Sequence, residues 1–295
     1  MTNLELLSNT LKKFYGQTNL AQCIEIYFFV KKNFKGHGDI VELGTFLGKT
    51  TKTITEALPD NFNNKFYTFD NFIWNWNHKR KFPFVKLDLN QNFLDYVKKK
   101  VDSNKVIFRK GLIQHIEWSS NNIELLILDA PKNFDEINDL FFKLSPFFKK
   151  NITKIIFLDY IISIKYDTQF FLAKISDNFL IDISKNGIAY CTYIKEIDFE
   201  KFGAFSEEKK MKLINIKLFW DDKFNTLNEN LKKKLSLLPA LHLYDNKNYL
   251  DSIKSVISKD VYVQKKYILI KYMFKRYPLL VPILIIQYLR GKYFI

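Results

Sequence analysis

Cysteine, arginine, glycine and proline are all scarce in this 295-residue chain, and the scarcities narrow what it can be. The two cysteines, Cys23 and Cys191, stand far apart. They make neither a disulfide framework nor a cysteine metal cluster, so a reducing, cytoplasmic setting is expected. Only four of the 46 basic residues are arginine: Arg80, Arg109, Arg276 and Arg290. Base-reading proteins lean on arginine for bidentate contacts, so nucleic acid is disfavoured as a partner despite a net charge of +15. No stretch reaches the roughly 20 apolar residues of a membrane span. The longest apolar run, Pro278 to Leu289, carries Gln287 inside it. Met1 to Lys13 holds polar and acidic residues where a secretion signal needs a basic start and an apolar run, so no signal peptide is expected. What is abundant is lysine, phenylalanine and tyrosine, with a hydrophobic share of 47%. That share supplies a real core and excludes bulk disorder.

Leu20, Ile24, Tyr27 and Phe28 recur at helical spacing, which predicts a helix over residues 19–34, stopped by Gly36-His37-Gly38. A short apolar strand, Ile40-Val41, follows, then a helix from about Gly48 to Leu58. Strand-like runs at 66–69, 106–108, 125–128 and 155–158 then alternate with helical stretches such as 93–101 and 134–142. Alternation of this kind predicts an α/β fold with a mainly parallel sheet. Two last strands, 179–183 and 188–194, are separated by Lys185-Asn186-Gly187 and should pair antiparallel. From about Glu196 the chain turns lysine-rich and helical in pattern. The expected organisation is a domain over 1–196 and a helical appendage over 197–295.

Nine glycines serve the whole chain, yet Gly36, Gly38, Gly44 and Gly48 fall within thirteen residues. Glu42-Leu43-Gly44-Thr45-Phe46-Leu47-Gly48 follows a strand and precedes a helix, where open α/β sheets bind nucleotide-like ligands. A P-loop needs four residues between its first Gly and the Gly-Lys pair, and Gly44 to Gly48-Lys49-Thr50 offers three. The dinucleotide pattern Gly-x-Gly fails because Phe46 stands at its second glycine. What remains is Glu-x-Gly-x-x-x-Gly, with a second acid, Asp70, ending the next strand 28 residues after Glu42. An acid there can accept hydrogen bonds from both hydroxyls of a ribose. Further along, Gly111 follows a third strand, Asp129 ends the fourth and Asp159 the fifth.

These elements resemble, over about residues 19–196, the class I S-adenosylmethionine (SAM)-dependent methyltransferases. The resemblance implies a Rossmann-like, seven-stranded class I methyltransferase sheet. Within it, Gly38-Asp39-Ile40-Val41-Glu42-Leu43-Gly44 with Phe69-Asp70-Asn71-Phe72 is most similar to the macrocin O-methyltransferase group. The implied cofactor contacts are Glu42, Gly44, Thr45, Phe46, Gly48, Asp70, Asn71, Gly111, Leu112 and Asp129. Glu42 would help order the ammonium end of SAM, and the loop after Gly111 would pack the adenine. That group methylates sugar hydroxyls, often with Mg²⁺. Its strand-end signatures are Asp-Gly-Asp and Asp-Asp, whereas this chain has Asp129-Ala130-Pro131 and Asp159-Tyr160. Asp129 and Asp159 match one acid of each pair and are the implied Mg²⁺ ligands.

Methyl transfer to oxygen also needs a proton acceptor. Asp129 and His78 are the candidate catalytic residues, His78 because it sits in an aromatic and basic stretch after the second strand. His115, after Gly111, has a status similar to that of His78, and Lys132 would contact a phosphate or carboxylate. The expected activity is O-methylation of a sugar or surface-glycan component, as in capsule or lipopolysaccharide assembly in a bacterium. Two alternatives differ in class. A nucleic-acid methyltransferase or binding protein would use the charge, but Asp129-Ala130-Pro131-Lys132 replaces the Asn-Pro-Pro-Tyr-like signature of many such enzymes. A non-catalytic membrane-associated module could keep the fold. Residues 261–295 carry seven basic residues, no acids and a short apolar stretch between Pro278 and Ile286. That pattern suits peripheral docking on the anionic inner face of a membrane, or burial against the core or a second copy in a homo-oligomer.

Overall fold

The computed structural model describes residues 3–130, 133–158, 160 and 167–199. The chain divides into two compact units, one of Met1–Tyr160 with Lys174–Gly203, the other of Ile161–Ala173 with Ala204–Ile295. The apolar-basic tail at 261–295 and all of the expected appendage after Phe199 lie outside the described residues. Among those described, no helix is long and apolar enough to cross a membrane.

The first unit is built on seven strands: β1 (Asp39–Leu43), β2 (Phe66–Asp70), β3 (Val106–Lys110), β4 (Ile123–Leu128), β5 (Lys154–Phe157), β6 (Phe179–Ile183) and β7 (Ala189–Tyr193). They form one sheet in the order β3-β2-β1-β4-β5-β7-β6. β1 to β5 are parallel, and β7 pairs antiparallel with both β5 and β6. This is the seven-stranded doubly wound arrangement expected from the sequence, antiparallel pair included. β1 and β4, at its centre, are buried along their whole length, and β3 at the edge ends in exposed Arg109 and Lys110. Centre and edge differ because a parallel strand covered on both faces reads as continuous apolar sequence.

The helices are α1 (Asn3–Lys12), α2 (Leu20–Asn33), α3 (Lys49–Ala57), α4 (Trp76–Lys81), α5 (Leu94–Val101), α6 (Phe134–Leu144) and α7 (Asp167–Lys174). α2 begins where Asn19 and Gln22 form a reciprocal capping box. Ile26 and Val30 of α2, with Ile54 and Ala57 of α3, pack on Ile40, Phe66, Leu125, Ile127 and Ile156. Side chains alternate across a strand, so Phe157 faces the other way and stacks on Phe141 of α6, ring centroids 6.0 Å apart. Each fully buried Leu, Ile or Phe contributes roughly 1.5–3 kcal/mol by leaving water.

The chain winds outward from β1 through β2 to β3, then returns to the centre and winds the other way through β4 and β5. The two directions part between β1 and β4, which opens a crevice at their C-terminal ends.

Candidate active site

The crevice begins with a backbone that only glycine accepts. Gly44 leaves β1 at φ +102°, and a Cβ there would lie 2.8 Å from Ala130 Cβ and 2.9 Å from Ala130 N. The close approach arises because Asp129 N and Ala130 N both donate to Leu43 O, at 2.9 Å. The end of β4 is thereby drawn against the end of β1. Gly48, at φ +79°, caps α3, and a Cβ there would meet Val101 and Val97 at 2.6 and 2.9 Å. Its absent side chain makes room for α5, whereas Gly44 makes room beside the crevice.

Between the glycines, Phe46 takes a left-handed conformation at φ +46°. Phe72, just past β2, does so at φ +52°. Bulky residues rarely adopt this region without compensation. Asp70 supplies it: Oδ2 accepts from Phe46 N at 2.8 Å and Oδ1 from Phe72 N at 2.9 Å. One carboxylate thus holds two strained turns, and each oxygen keeps capacity to accept another hydrogen bond. Asp70 O also accepts from Gly111 N at 3.0 Å, which fixes the loop after β3.

The result is a cavity of about 320 Å³ lined in part by Gly44, Phe46, Asp70, Asn71, Gly111, Leu112 and Asp129. Each of these is a residue that the sequence pattern marks for the cofactor. His78 lines the same cavity, so both candidate catalytic residues meet there. His115 is absent from the lining. Beside Gly111 the space is open: a Cβ there would meet nothing within 4 Å.

Glu42, Thr45 and Gly48 do not line the cavity. Glu42 points into the protein beneath it and is wholly buried. Its Oε2 accepts from Thr51 Oγ1 and Thr68 Oγ1, both at 2.6 Å, while Oε1 is buried with no hydrogen-bond partner. Thr45 Oγ1 lies 2.5 Å from Thr68 Oγ1, which extends the chain of hydroxyls toward the glycine loop. Loss of solvation pushes the Glu42 carboxyl up to about 8 against the two threonine donors, with Asp129 and Asp70 adding to the rise. At neutral pH it is mostly an uncharged group that ties β1, β2 and α3 together. The side chain expected at the ammonium end of a ligand is placed under the cavity, because β1 is central and covered on both faces.

His78 is held in a capping box with Asn75: its backbone N donates to Asn75 Oδ1 at 3.0 Å, and its Nδ1 accepts from Asn75 N at 3.4 Å. Its ring packs on Phe46 and Trp74, centroids 4.9 and 5.3 Å away. Burial lowers its pKa, against the opposing pull of Asp70. The shift favours the neutral imidazole.

The cavity also takes residues that the sequence did not mark, among them Gln17, Asn75, Gln114, Glu136 and Leu140. Gln17 is carried there by the segment before α2, where Thr18 and Thr50 share a hydrogen bond of 3.0 Å. Glu136, in the first turn of α6, accepts from Gln114 Nε2 at 3.1 Å across the cavity rim. Neither carries a local signal; topology alone brings them in. A larger hollow, about 940 Å³, lies at the other end of the sheet beside the start of β3. Its Lys105 Nζ is already bonded to Pro59 O at 3.1 Å, and the end of the sheet is wrong for a doubly wound fold.

Of the two acids implied as metal ligands, Asp129 is described, while Asp159 lies outside the described residues, as does the candidate Lys132. Among the described residues, no group of three or more His, Cys, Asp or Glu gathers to hold a metal.

No protein-family model matches the chain, and no curated protein does. Several solved structures are similar. The O-methyltransferase NovP is 15% identical, with 65% of this chain and 97% of that one covered and a TM-score of 0.49. CalS11, a TDP-rhamnose 3'-O-methyltransferase of calicheamicin biosynthesis, is 12% identical, covering 64% and 92%, with a TM-score of 0.42. An O-methyltransferase from Bacillus cereus in complex with SAH is 15% identical, covering 64% and 90%, with a TM-score of 0.42. At such identities activity does not transfer with shape, so the cavity's own chemistry has to carry a functional reading.

Proposed function

We propose that this chain is a SAM-dependent methyltransferase that methylates a hydroxyl oxygen of a sugar or related surface-glycan precursor. The observation that carries the reading is the cavity between β1 and β4, into which three carboxylates, Asp70, Asp129 and Glu136, converge. A sulfonium ligand with an ammonium group is a cation, and carboxylates in a half-enclosed site are its natural counter-charges. Asp70 stands where a ribose diol could donate to both its oxygens. The open flank of Gly111 admits a planar base between the loop after β3 and Leu140.

When bound, SAM supplies a methyl group on an already activated leaving sulfur. The protein's part is then alignment and removal of one proton. Gly44 and the Asp129-Ala130 backbone bring the ends of β1 and β4 together, so the ligand and the proton acceptor share one wall. Asp129 accepts the proton of the attacking hydroxyl. His78, fixed by Asn75 and lining the same cavity, orients the acceptor. The resemblance of residues 38–44 and 69–72 to the macrocin O-methyltransferase group is what favours a sugar hydroxyl as acceptor. Mg²⁺ can be held by one or two carboxylates completed by water; Asp129 would be one such ligand, and no step here passes through a metal.

Transfer of label from methyl-tritiated SAM tests the reading, with nucleotide-activated and lipid-linked glycan precursors as acceptors and RNA as control. Label is expected in a glycan fraction. Asp129→Asn should lower kcat by about 10²–10⁴ and, because Asp129 is also a counter-charge to the cofactor's cation, raise KM for SAM as well. Label in RNA and in no glycan would overturn the acceptor class.

A further inference from the structure

The connection from β2 to α5, residues 71–92, has two sides. Phe72, Trp74, Val85 and Leu87 are buried beneath it. Trp76, Phe84, Leu89 and Ile73 stand 64, 54, 43 and 40% exposed. In α4, Trp76 and Arg80 are one turn apart with Lys79 between them on the outer side. His78 and Phe82 turn inward against Phe46, centroids 4.9 and 5.3 Å away. Lys79, Arg80, Lys81 and Lys86 are all exposed, and Asp88 is the one acid between residues 73 and 89. Tyr15, 43% exposed, extends the face by packing on Phe84 at 4.4 Å. The fold gains nothing by leaving these rings in water, and a cluster of them marks a contact surface.

We infer that this face docks on an anionic lipid surface. A protein partner would need a dry centre depleted of charge. Here three consecutive cations separate Trp76 from Phe84. A headgroup layer accepts both kinds of group: aromatic rings lodge at its boundary and lysine and arginine meet its phosphates. Asn75 and His78 belong to the same segment and line the cavity, so docking holds the cavity mouth against the lipid, within reach of a lipid-borne acceptor. The surface is formed by a different part of the sequence from the apolar-basic stretch at 261–295, and it stands whether or not the chain transfers methyl groups.

Full-length protein should co-sediment with vesicles containing phosphatidylglycerol and not with pure phosphatidylcholine, and rising salt should release it. Lys79→Gln with Arg80→Gln and Lys86→Gln should weaken binding about a hundredfold. Brominated lipid should quench tryptophan emission in the wild type, and Trp76→Phe should abolish most of that quenching while the circular dichroism spectrum is unchanged. SAM binding, measured separately on the same variants, reports on the catalytic reading alone. Vesicle binding and quenching that survive both sets of substitutions, or no binding to anionic vesicles, would overturn the assignment.

Discussion

Glu42 is an acid sealed beneath a ligand cavity, with two threonine hydroxyls on one oxygen and none on the other. Its carboxyl rises from 4.5 to about 8, chiefly through burial. An acid whose folded value lies above its unfolded one takes up a proton on folding. The contribution to stability is therefore best below pH 4.5, falls as pH rises toward about 8, and is level above that. Glu42→Gln keeps the shape and removes the proton uptake. Thermal melts should show the variant gaining on the wild type at pH 9, by an amount on the order of a few kcal/mol, and matching it near pH 4. Equal shifts at both pH values would contradict this account. Two glycines separate fold from binding in the same way. Gly44→Ala strains a φ of +102° and drives a methyl into Ala130, so urea unfolding should show a loss of about 2–4 kcal/mol. Gly111→Ala places its methyl in open cavity space, so the melt should hold while SAM affinity drops.

At the scale of elements, what could be read in advance was whatever repeats locally. The runs at 40–41, 66–69, 106–108, 125–128 and 155–158 are apolar because buried parallel strands face helices on both sides, so all five strands, with α2, α3, α5 and α6, were legible. Asp70 and Asp129 were legible because strand ends are where this topology places chemistry. α4 was not: six residues, Trp76–Lys81, carry no apolar period, and the capping box closed by Asn75 and His78 lacks the usual Ser/Thr-x-x-Glu/Gln signature. α1 was likewise passed over, since its apolar face is just Leu7 and Leu11 against Cys23. Gln17, Gln114 and Glu136 come from three separate elements, and nothing in their neighbours in sequence announces that they meet. The 71–92 connection is anchored by Trp74, fully buried among Phe46, Phe93 and His78. Trp74→Ala should cost about 3–5 kcal/mol in denaturant unfolding. Since His78 rests on that ring, methyl transfer should fall more than SAM affinity.

For the whole molecule, a net charge of +15 calls for an anionic partner of some kind. Seven of those charges fall in the last 35 residues, and four more basic side chains line one exposed aromatic face beside the cavity. A charge divided in this way suits a protein held at a lipid surface while it works on a small acceptor, and it suits a binding groove for a long polyanion poorly. The doubly wound sheet supplies the rest: it opens one crevice, at the parting of β1 and β4, and lines it with acids. Titration calorimetry of SAM into the full-length protein, beside Asp70→Ala, tests that central claim most directly. The account predicts one site per chain for the wild type and a loss of at least tenfold in affinity for the variant, with both proteins folded by circular dichroism. A folded wild-type protein that takes up no SAM, or a variant that binds it equally well, would contradict it.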